Sequence, residues 1–297
     1  MEALRDKGVV VTGAAGGIGR AIAEACLAAG ARVVVNDLDA ERLLATATEL
    51  GAYAVPADVS TNDGIAALIE LSTAHLGRID VWVGNAGIQG GRGLETPDET
   101  WQLAHDINVM AHVRAARLLM PTWLESGGGR FVVTASAAGL LTMIGAAPYS
   151  VTKHAAVAFA EWLAATYGHR GIDVHCLCPQ GVDTAIYRSA GHVQGLLAAD
   201  GLLTPAEVAA TLLEAIEQGR HQVLPHPRVR EYAVARATDT DAWVRGMQRL
   251  QTRYDAPAPA PAPRPPDTRE VPVPATAPAP APAPATRSSD SRAIGHQ

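Results

Sequence analysis

The sequence predicts an α/β protein built on an open, doubly wound parallel sheet. Two observations predict it: short valine- and isoleucine-rich runs alternate with helical patterns, and a glycine-rich turn joins the first strand to the first helix. Strands that alternate with helices pair in parallel through right-handed crossovers. Near-continuous Val/Ile runs suit strands that are covered on both faces. We therefore expect the ligand beyond the carboxyl ends of the strands.

The individual elements follow from apolar runs and from apolar residues at helical spacing. The predicted strands are 8–12, 32–36, 52–55, 79–83, 130–134 and 172–178, and the predicted helices in the first half are 18–29, 40–50 and 64–75. No repeat of 20–50 residues, the sign of a solenoid, interrupts this alternation.

The composition changes sharply after Asp255. Twelve of the 20 prolines lie in residues 256–297, largely as Ala-Pro repeats. Such a segment lacks backbone donors and apolar area, so we expect a disordered, polyproline-like tail. The predicted organisation is one folded domain over residues 1–227, a helical extension over 228–255 and the tail. We interpret the tail as a solubilising extension, and the alternative is a tether or a ligand for a proline-binding module.

The overall composition disfavours several kinds of partner. A net charge of -6 and 4% aromatic residues do not suit a nucleic-acid-binding surface. No signal core follows the N-terminal charges, and no apolar run reaches the roughly 20 residues of a membrane span. Three cysteines make no disulfide framework. The expectation is a cytoplasmic protein with no membrane partner. No metal site is expected either, because His175-Cys176-Leu177-Cys178 has no second Cys/His pair.

The glycine-rich turn predicts a dinucleotide site. It reads G-x-x-x-G-x-G, with glycines at Gly13, Gly17 and Gly19 and an isoleucine at Ile18. Glycines let the backbone approach a pyrophosphate closely, and the following helix presents free N–H groups to it. Asp37 ends the second strand, where a carboxylate can accept hydrogen bonds from the ribose hydroxyls of adenosine.

A tyrosine and a lysine stand at i and i+4 on a predicted helix. The side chains of Tyr149 and Lys153 therefore share one face. An ammonium near a phenol lowers the pKa of the tyrosine, as acid–base chemistry near neutral pH requires. The alternative interpretation is an amphipathic helix with an exposed lysine.

These motifs resemble those of the short-chain dehydrogenase/reductase family, which has a Rossmann fold. The loop TGxxxGIG matches residues 12–19, and the resemblance continues to Val223 but not into the tail. It implies that Asp58 and Val59 contact the adenine and that Asn85 supports the sheet and the ribose. Asn85 belongs to a GNAG segment in which Gly84 replaces the first asparagine of the family's NNAG.

The resemblance also implies roles at the reaction centre. Ser136, at the end of the fifth predicted strand, holds the substrate oxygen beside Tyr149. Tyr149 is the general acid/base, and Lys153 lowers its pKa and binds the nicotinamide ribose. Asn108 supports a proton-relay water that connects to the lysine.

A further segment, 179–184, resembles the family's PGxVxT element. Val182 and Thr184 would contact the nicotinamide carboxamide or the pyrophosphate there. Gln180 replaces the usual glycine, so the geometry around it departs from the family's pattern.

The function that the resemblance implies is NAD(P)-dependent interconversion of a secondary alcohol and a ketone by hydride transfer. Asp37 would repel the 2′-phosphate of NADP, so NAD is the expected cofactor. We expect a medium-sized lipophilic substrate bound by segments 88–94, 138–147 and 185–201, and an assembly as a homotetramer or homodimer. The alternative is a catalytically silent dinucleotide-binding scaffold or sensor.

Overall fold

The computed structural model describes residues 2–255, except for the side chain of His192. Seven strands form one parallel sheet in the order β3-β2-β1-β4-β5-β6-β7. They are β1 (Gly8–Thr12), β2 (Arg32–Asn36), β3 (Tyr53–Ala54), β4 (Val81–Gly84), β5 (Gly129–Thr134), β6 (Ile172–Leu177) and β7 (Gln222–Val223). The direction of winding reverses between β1 and β4, which places a ligand crevice at their carboxyl ends.

Helices cover both faces of the sheet. They are α1 (Gly17–Ala28), α2 (Ala40–Leu50), α3 (Asn62–Leu76), α4 (Asp98–His105), α5 (Ala111–Glu125), α6 (Ala138–Leu141), α7 (Ala147–Tyr167), α8 (Ala185–Arg188), α9 (Gln194–Leu197), α10 (Pro205–Glu217), α11 (Arg228–Thr238) and α12 (Thr240–Asp255). A π-helical segment, Asp106–Met110, lies between α4 and α5. Among residues 2–255, no helix is long and apolar enough to cross a membrane.

The core has two apolar layers because successive strand residues point to opposite faces. Val9 and Val11 of β1 pack with α1, α2 and α10, whereas Val10 packs with α3, α5 and α7. All five residues of β1 are buried, as a central strand of a doubly wound sheet requires. The predicted fold class is therefore confirmed.

Several predicted boundaries were wrong by a few residues. The third strand is shorter than 52–55, the fourth begins at Val81 rather than 79, and the sixth ends at Leu177. The helix predicted to begin at 64 begins at Asn62, because Thr61 Oγ1 accepts a hydrogen bond from the backbone N–H of Gly64 and caps it. β7 was not predicted, since a two-residue strand leaves no hydrophobic pattern.

Two helices, α11 and α12, occupy the segment for which a helical extension is predicted. Val229 of α11 is fully buried, and the guanidinium of Arg236 donates a hydrogen bond to the backbone carbonyl of Leu140 at 2.7 Å. α12 has no buried residue. The predicted tail, residues 256–297, lies outside the residues that the structure describes.

Candidate active site

The glycine loop is held against the end of β4. The Asn85 side-chain amide donates hydrogen bonds to the backbone carbonyls of Thr12 and Gly13, at 3.0 and 3.3 Å. In return, Thr12 Oγ1 accepts hydrogen bonds from the backbone N–H groups of Asn85 and Ala86. Gly13 has a φ of +64°, and a Cβ there would lie 2.8 Å from Ala86 Cα. Only glycine fits this close approach of two backbones.

The N-terminus of α1 is open at this loop. The helix begins at Gly17, and the preceding Gly16 contributes no capping side chain. The first N–H groups of Gly17, Ile18 and Gly19 thus have no intrahelical partner, as at any helix start. The Thr184 methyl carbon lies 3.3 Å from where a Cβ of Gly17 would be. The loop and the segment after β6 therefore adjoin each other at the crevice, called the groove below, that the reversal of winding places at the carboxyl ends of β1 and β4.

Asp37 lies beside the loop at the end of β2. Its Oδ2 accepts a hydrogen bond from the backbone N–H of Ala15 at 3.0 Å. Asp39, and not Asp37, caps α2, by accepting from the N–H of Arg42. The hydrogen bond from Ala15 fixes the carboxylate of Asp37 beside the glycine loop. The Arg42 guanidinium comes within 3.3 Å of the Cβ position of Gly16, so it borders the same groove.

The other predicted cofactor contacts lie around the same edge of the sheet. Asp58 forms the turn after β3, where its Oδ1 accepts from the N–H of Ser60 at 2.8 Å. Val59, next to it, is buried. Val182 pairs with Leu203 in an isolated bridge, and its carbonyl accepts from Thr184 Oγ1 at 3.2 Å.

Gly84, which departs from the family pattern, makes room for a histidine. A Cβ at Gly84 would overlap Nδ1 of the His112 ring. Neither ring nitrogen of His112 has a hydrogen-bond partner among the described residues, and the side chain is buried. Burial, with a smaller contribution from the charge of Lys153, lowers the pKa of His112 to about 3.

Lys153 and Tyr149 lie together at the start of α7. The Lys153 Nζ is 5.6 Å from the centre of the Tyr149 ring and donates a hydrogen bond to the backbone carbonyl of Thr134 at 2.8 Å. Lys153 is 3% exposed, so the alternative of an exposed lysine on an amphipathic helix is wrong. Ser136 is buried beside them, and its Oγ accepts from the N–H of Ala138.

Asn108 lies in the π-helical segment, and both the oxygen and the nitrogen of its side-chain amide are hydrogen-bonded. Its Oδ1 accepts from the N–H of Ile88, and its Nδ2 donates to the Ile88 carbonyl, both at 2.9 Å. Nδ2 also donates to Thr152 Oγ1 at 3.0 Å. A Cβ at Gly87 would lie 3.1 Å from Asn108 Oδ1 and 3.3 Å from Lys153 Nζ. The missing side chain of Gly87 therefore leaves space that borders both polar atoms.

The electrostatics of the pair differ from the expectation. Burial raises the pKa of Tyr149, although the Ser136 hydroxyl, which can donate to the phenolate, partly offsets this. Burial also lowers the pKa of Lys153 to about 8. The pKa of Tyr149 is thus raised overall, and the effect of Lys153 on the phenolate stays a prediction. Sequence spacing reveals a neighbouring charge but not the desolvation of both groups.

A cavity of about 600 Å³ opens at Ser136. Its walls are largely apolar, and they come from the segment around α6, from α9 and from α11 and α12. The larger apolar lining residues are Leu141, Met143, Leu196, Leu197, Trp243, Met247 and Leu250. The predicted segments 138–147 and 185–201 both contribute to this lining.

Two parts of the cavity were not predicted correctly. Segment 88–94 contributes no residue to the described lining. α12 lines it instead. The spacing of Trp243, Met247 and Leu250, at i, i+4 and i+7, was the available signal for a helix with one apolar face.

Gln180 directs its amide toward the cavity lining. Its Nε2 donates to Asp200 Oδ2 at 3.2 Å, and its backbone N–H donates to His226 Nδ1. The buried Oε1 has no hydrogen-bond partner within residues 2–255. The side chain that replaces the family's glycine is thus held on one side by Asp200.

Comparison with known proteins identifies the family of the chain. The family model described as short chain dehydrogenase matches residues 7–194. A 1-deoxy-11-beta-hydroxypentalenate dehydrogenase of Streptomyces exfoliatus is 36% identical over 231 residues, which cover 73% of this chain and 82% of the relative. A 3beta-hydroxysteroid dehydrogenase of Eggerthella lenta is 32% identical over 60% of this chain and 71% of its own length.

Two solved structures share the fold. A short-chain dehydrogenase/reductase from Burkholderia phymatum, in complex with NAD, superposes with a TM-score of 0.76 at 28% identity, over 82% of this chain and 96% of the other. A 7α-hydroxysteroid dehydrogenase in complex with NADH and 7-oxo glycochenodeoxycholic acid gives 0.69 at 26% identity, over 75% and 94%. With its family match, parallel sheet and glycine loop, the chain belongs to the short-chain dehydrogenase/reductase family of oxidoreductases.

Proposed function

We propose that this chain is an NAD-dependent dehydrogenase that interconverts a secondary alcohol and a ketone on a medium-sized lipophilic molecule. The observation that carries the proposal is the position of Ser136. Its side chain is hydrogen-bonded to Tyr149 and also lines the apolar cavity. A substrate oxygen held at Ser136 would therefore lie next to the phenol.

The groove beside β1 suits a nicotinamide dinucleotide. The open N-terminus of α1 and the close-packed Gly13 supply a place for the pyrophosphate, and Asp37 for the adenosine ribose. Asp58, Val59, Asn85, Val182 and Thr184 would complete the cofactor site as the family resemblance implies. When bound, the nicotinamide donates or accepts the hydride.

The proton chemistry belongs to the side chains. In the oxidation, Tyr149 takes the hydroxyl proton of the alcohol, and in the reduction it returns a proton to the forming alkoxide. Ser136 donates a hydrogen bond to the substrate oxygen and holds it beside the phenol. Lys153 stabilises the phenolate when charged and would bind the nicotinamide ribose. Asn108 supports a proton-relay water in the space that Gly87 leaves open beside Lys153.

The cavity and the relatives point to the same substrate class. A volume of about 600 Å³ with mainly apolar walls accommodates a fused-ring or long-chain molecule. Relatives of this chain are named for a hydroxypentalenate and for hydroxysteroids. We therefore infer a lipophilic secondary alcohol as the reduced substrate.

The test is a substrate screen of the purified full chain with NAD+ or NADP+. Terpenoid, steroid and long-chain secondary alcohols are expected to produce the absorbance of reduced nicotinamide, and Tyr149→Phe is expected to abolish most of it. Binding of NAD without turnover of any substrate in either direction would instead favour a silent scaffold or sensor.

A further inference from the structure

Two arginines of α12 bring charge to the apolar cavity. Arg249 and Arg253 lie one turn apart and line the cavity together with Trp243, Met247 and Leu250 of the same helix. Both arginines are exposed, so their guanidinium groups are accessible to a ligand. The lining of the cavity thus includes both Ser136 and two positive charges.

The two arginines have no partner within residues 2–255, in contrast to the acidic groups of the lining. Asp200 accepts hydrogen bonds from the Arg228 guanidinium at 2.8 Å, the Tyr232 hydroxyl at 3.0 Å and the Gln180 amide. Asp239 caps α12 by accepting from the N–H of Ala242 at 2.8 Å. Asp200 is thus paired with a guanidinium and Asp239 is engaged in a helix cap, whereas the guanidinium groups of Arg249 and Arg253 remain available to a ligand.

The placement of these two arginines differs from that of a third arginine on the same helix. Arg245 lies on the same helix but outside the cavity. A helix that needed arginines only for solubility would carry them away from its apolar face. A guanidinium presents parallel N–H donors that match the two oxygen atoms of a carboxylate.

We propose that the substrate is a lipophilic acid, with its alcohol or ketone at Ser136 and its carboxylate at Arg249 and Arg253. This rests on the proposed function, since it names the substrate class of the same site. The apolar body of the substrate spans the cavity between the two ends. The arginines select the anion and fix which carbon of the body reaches the reaction centre.

The experiment compares two acids with their neutral methyl esters on the full chain with NADH bound. Deoxycholate supplies a rigid body and 12-hydroxystearate a flexible one. Binding is followed by the change in tryptophan fluorescence, since Trp243 lines the cavity, and by calorimetry. At least one acid is expected to bind about tenfold tighter than its ester. This factor is at the low end for a hydrogen bond to a charged group, because solvent weakens the interaction with exposed arginines.

The variants decide whether the arginines cause the preference. The double change Arg249→Gln with Arg253→Gln is expected to remove it by weakening the acid alone, and Arg245→Gln, the matched control, to leave it unchanged. Equal binding of acid and ester in both pairs, no binding of any of the four compounds, or a preference that survives the double change would overturn the proposal.

Turnover separates this proposal from the proposed function. A chain that oxidises neutral alcohols but shows no acid preference refutes only the carboxylate site. A chain that binds the acids through Arg249 and Arg253 but turns over no secondary alcohol, free or acidic, refutes the proposed dehydrogenase activity and the assignment of the acid as a substrate. In that case the two arginines remain a binding site without a reaction.

Discussion

The backbone of Gly84 lies directly against the imidazole of His112, so that a Cβ at position 84 would overlap the ring. The two residues come from β4 and α5, and both are buried. The family's NNAG segment has an asparagine at the position of Gly84. In this chain the imidazole of His112 lies where a side chain at position 84 would begin. The contact with His112 gives a steric reason for the glycine at position 84, which the sequence alone does not provide.

Gly84→Ala is expected to destabilise the chain by about 1–3 kcal/mol, the usual cost of an overpacked core. The overlapping ring belongs to a buried histidine that cannot swing into solvent. Denaturant unfolding of the single variants and of Gly84→Ala combined with His112→Ala measures the coupling. The double variant should lose less stability than the two single changes together, and strict additivity would contradict the contact.

The buried His112 is also expected to make the chain sensitive to acid. Its pKa of about 3 in the folded protein lies below the ordinary value of 6.5, so the unfolded chain binds more protons between these limits. The contribution of neutral His112 to the unfolding free energy is complete at pH values above its ordinary pKa. It is lost as the pH falls from 6.5 toward 3. His112→Gln should flatten the decline of the unfolding free energy over that range. An unchanged slope would show that other groups cause the decline.

The sequence predicted most of the fold because its signals are local. The valine runs of β1 and β2 and the glycine loop between strand and helix need no tertiary information, and their bounds match the structure. β7 and the lining role of α12 were missed, since both depend on what a short or exposed segment packs against. The contact of Gly84 with His112 joins residues distant in the chain, so no single motif indicates it.

At the candidate site, the sequence predicted which groups come together but not their ionisation. The i, i+4 spacing places Lys153 beside Tyr149, as the 5.6 Å separation of Nζ and ring centre shows. The raised pKa of Tyr149 and the lowered pKa of Lys153 come from burial by residues spread over the chain.

Tyr149→Phe tests the proposed acid–base residue. The variant should keep its fold and bind NADH normally, because only the hydroxyl is removed. Turnover should fall by about 10²- to 10⁴-fold, the range for loss of a general acid–base group. Stopped-flow turnover and NADH fluorescence measure the two properties separately, and near-normal turnover would refute the role of Tyr149.

Two truncations test the role of α12. A chain ending at Asp255 should keep its activity and melting temperature, since it retains all of the cavity lining that the structure describes. A chain ending at Asp239 should also remain folded, because α12 has no buried residue, yet its KM for lipophilic alcohols should rise at least tenfold. Steady-state kinetics and calorimetry provide the comparison. A large loss of activity on removing only residues 256–297 would contradict the proposed division of roles.

Asp37 should determine the preference for NAD over NADP. Its carboxylate lies beside the glycine loop and would repel a 2′-phosphate, whereas the exposed Leu38 offers that phosphate no positive charge. Arg42 borders the groove near Gly16 and is the group that would favour NADP once the carboxylate is gone. Arg20, the other guanidinium near the loop, is held in an ion pair with Glu49.

Asp37→Ala should therefore reduce or reverse the preference for NAD, measured as the ratio of kcat/KM with NAD to kcat/KM with NADP. Asp37→Ala with Arg42→Gln should bind both cofactors weakly and discriminate little, while Arg20→Gln serves as the matched control and should keep the native preference. A native preference for NADP, or unchanged discrimination in Asp37→Ala, would refute the assignment.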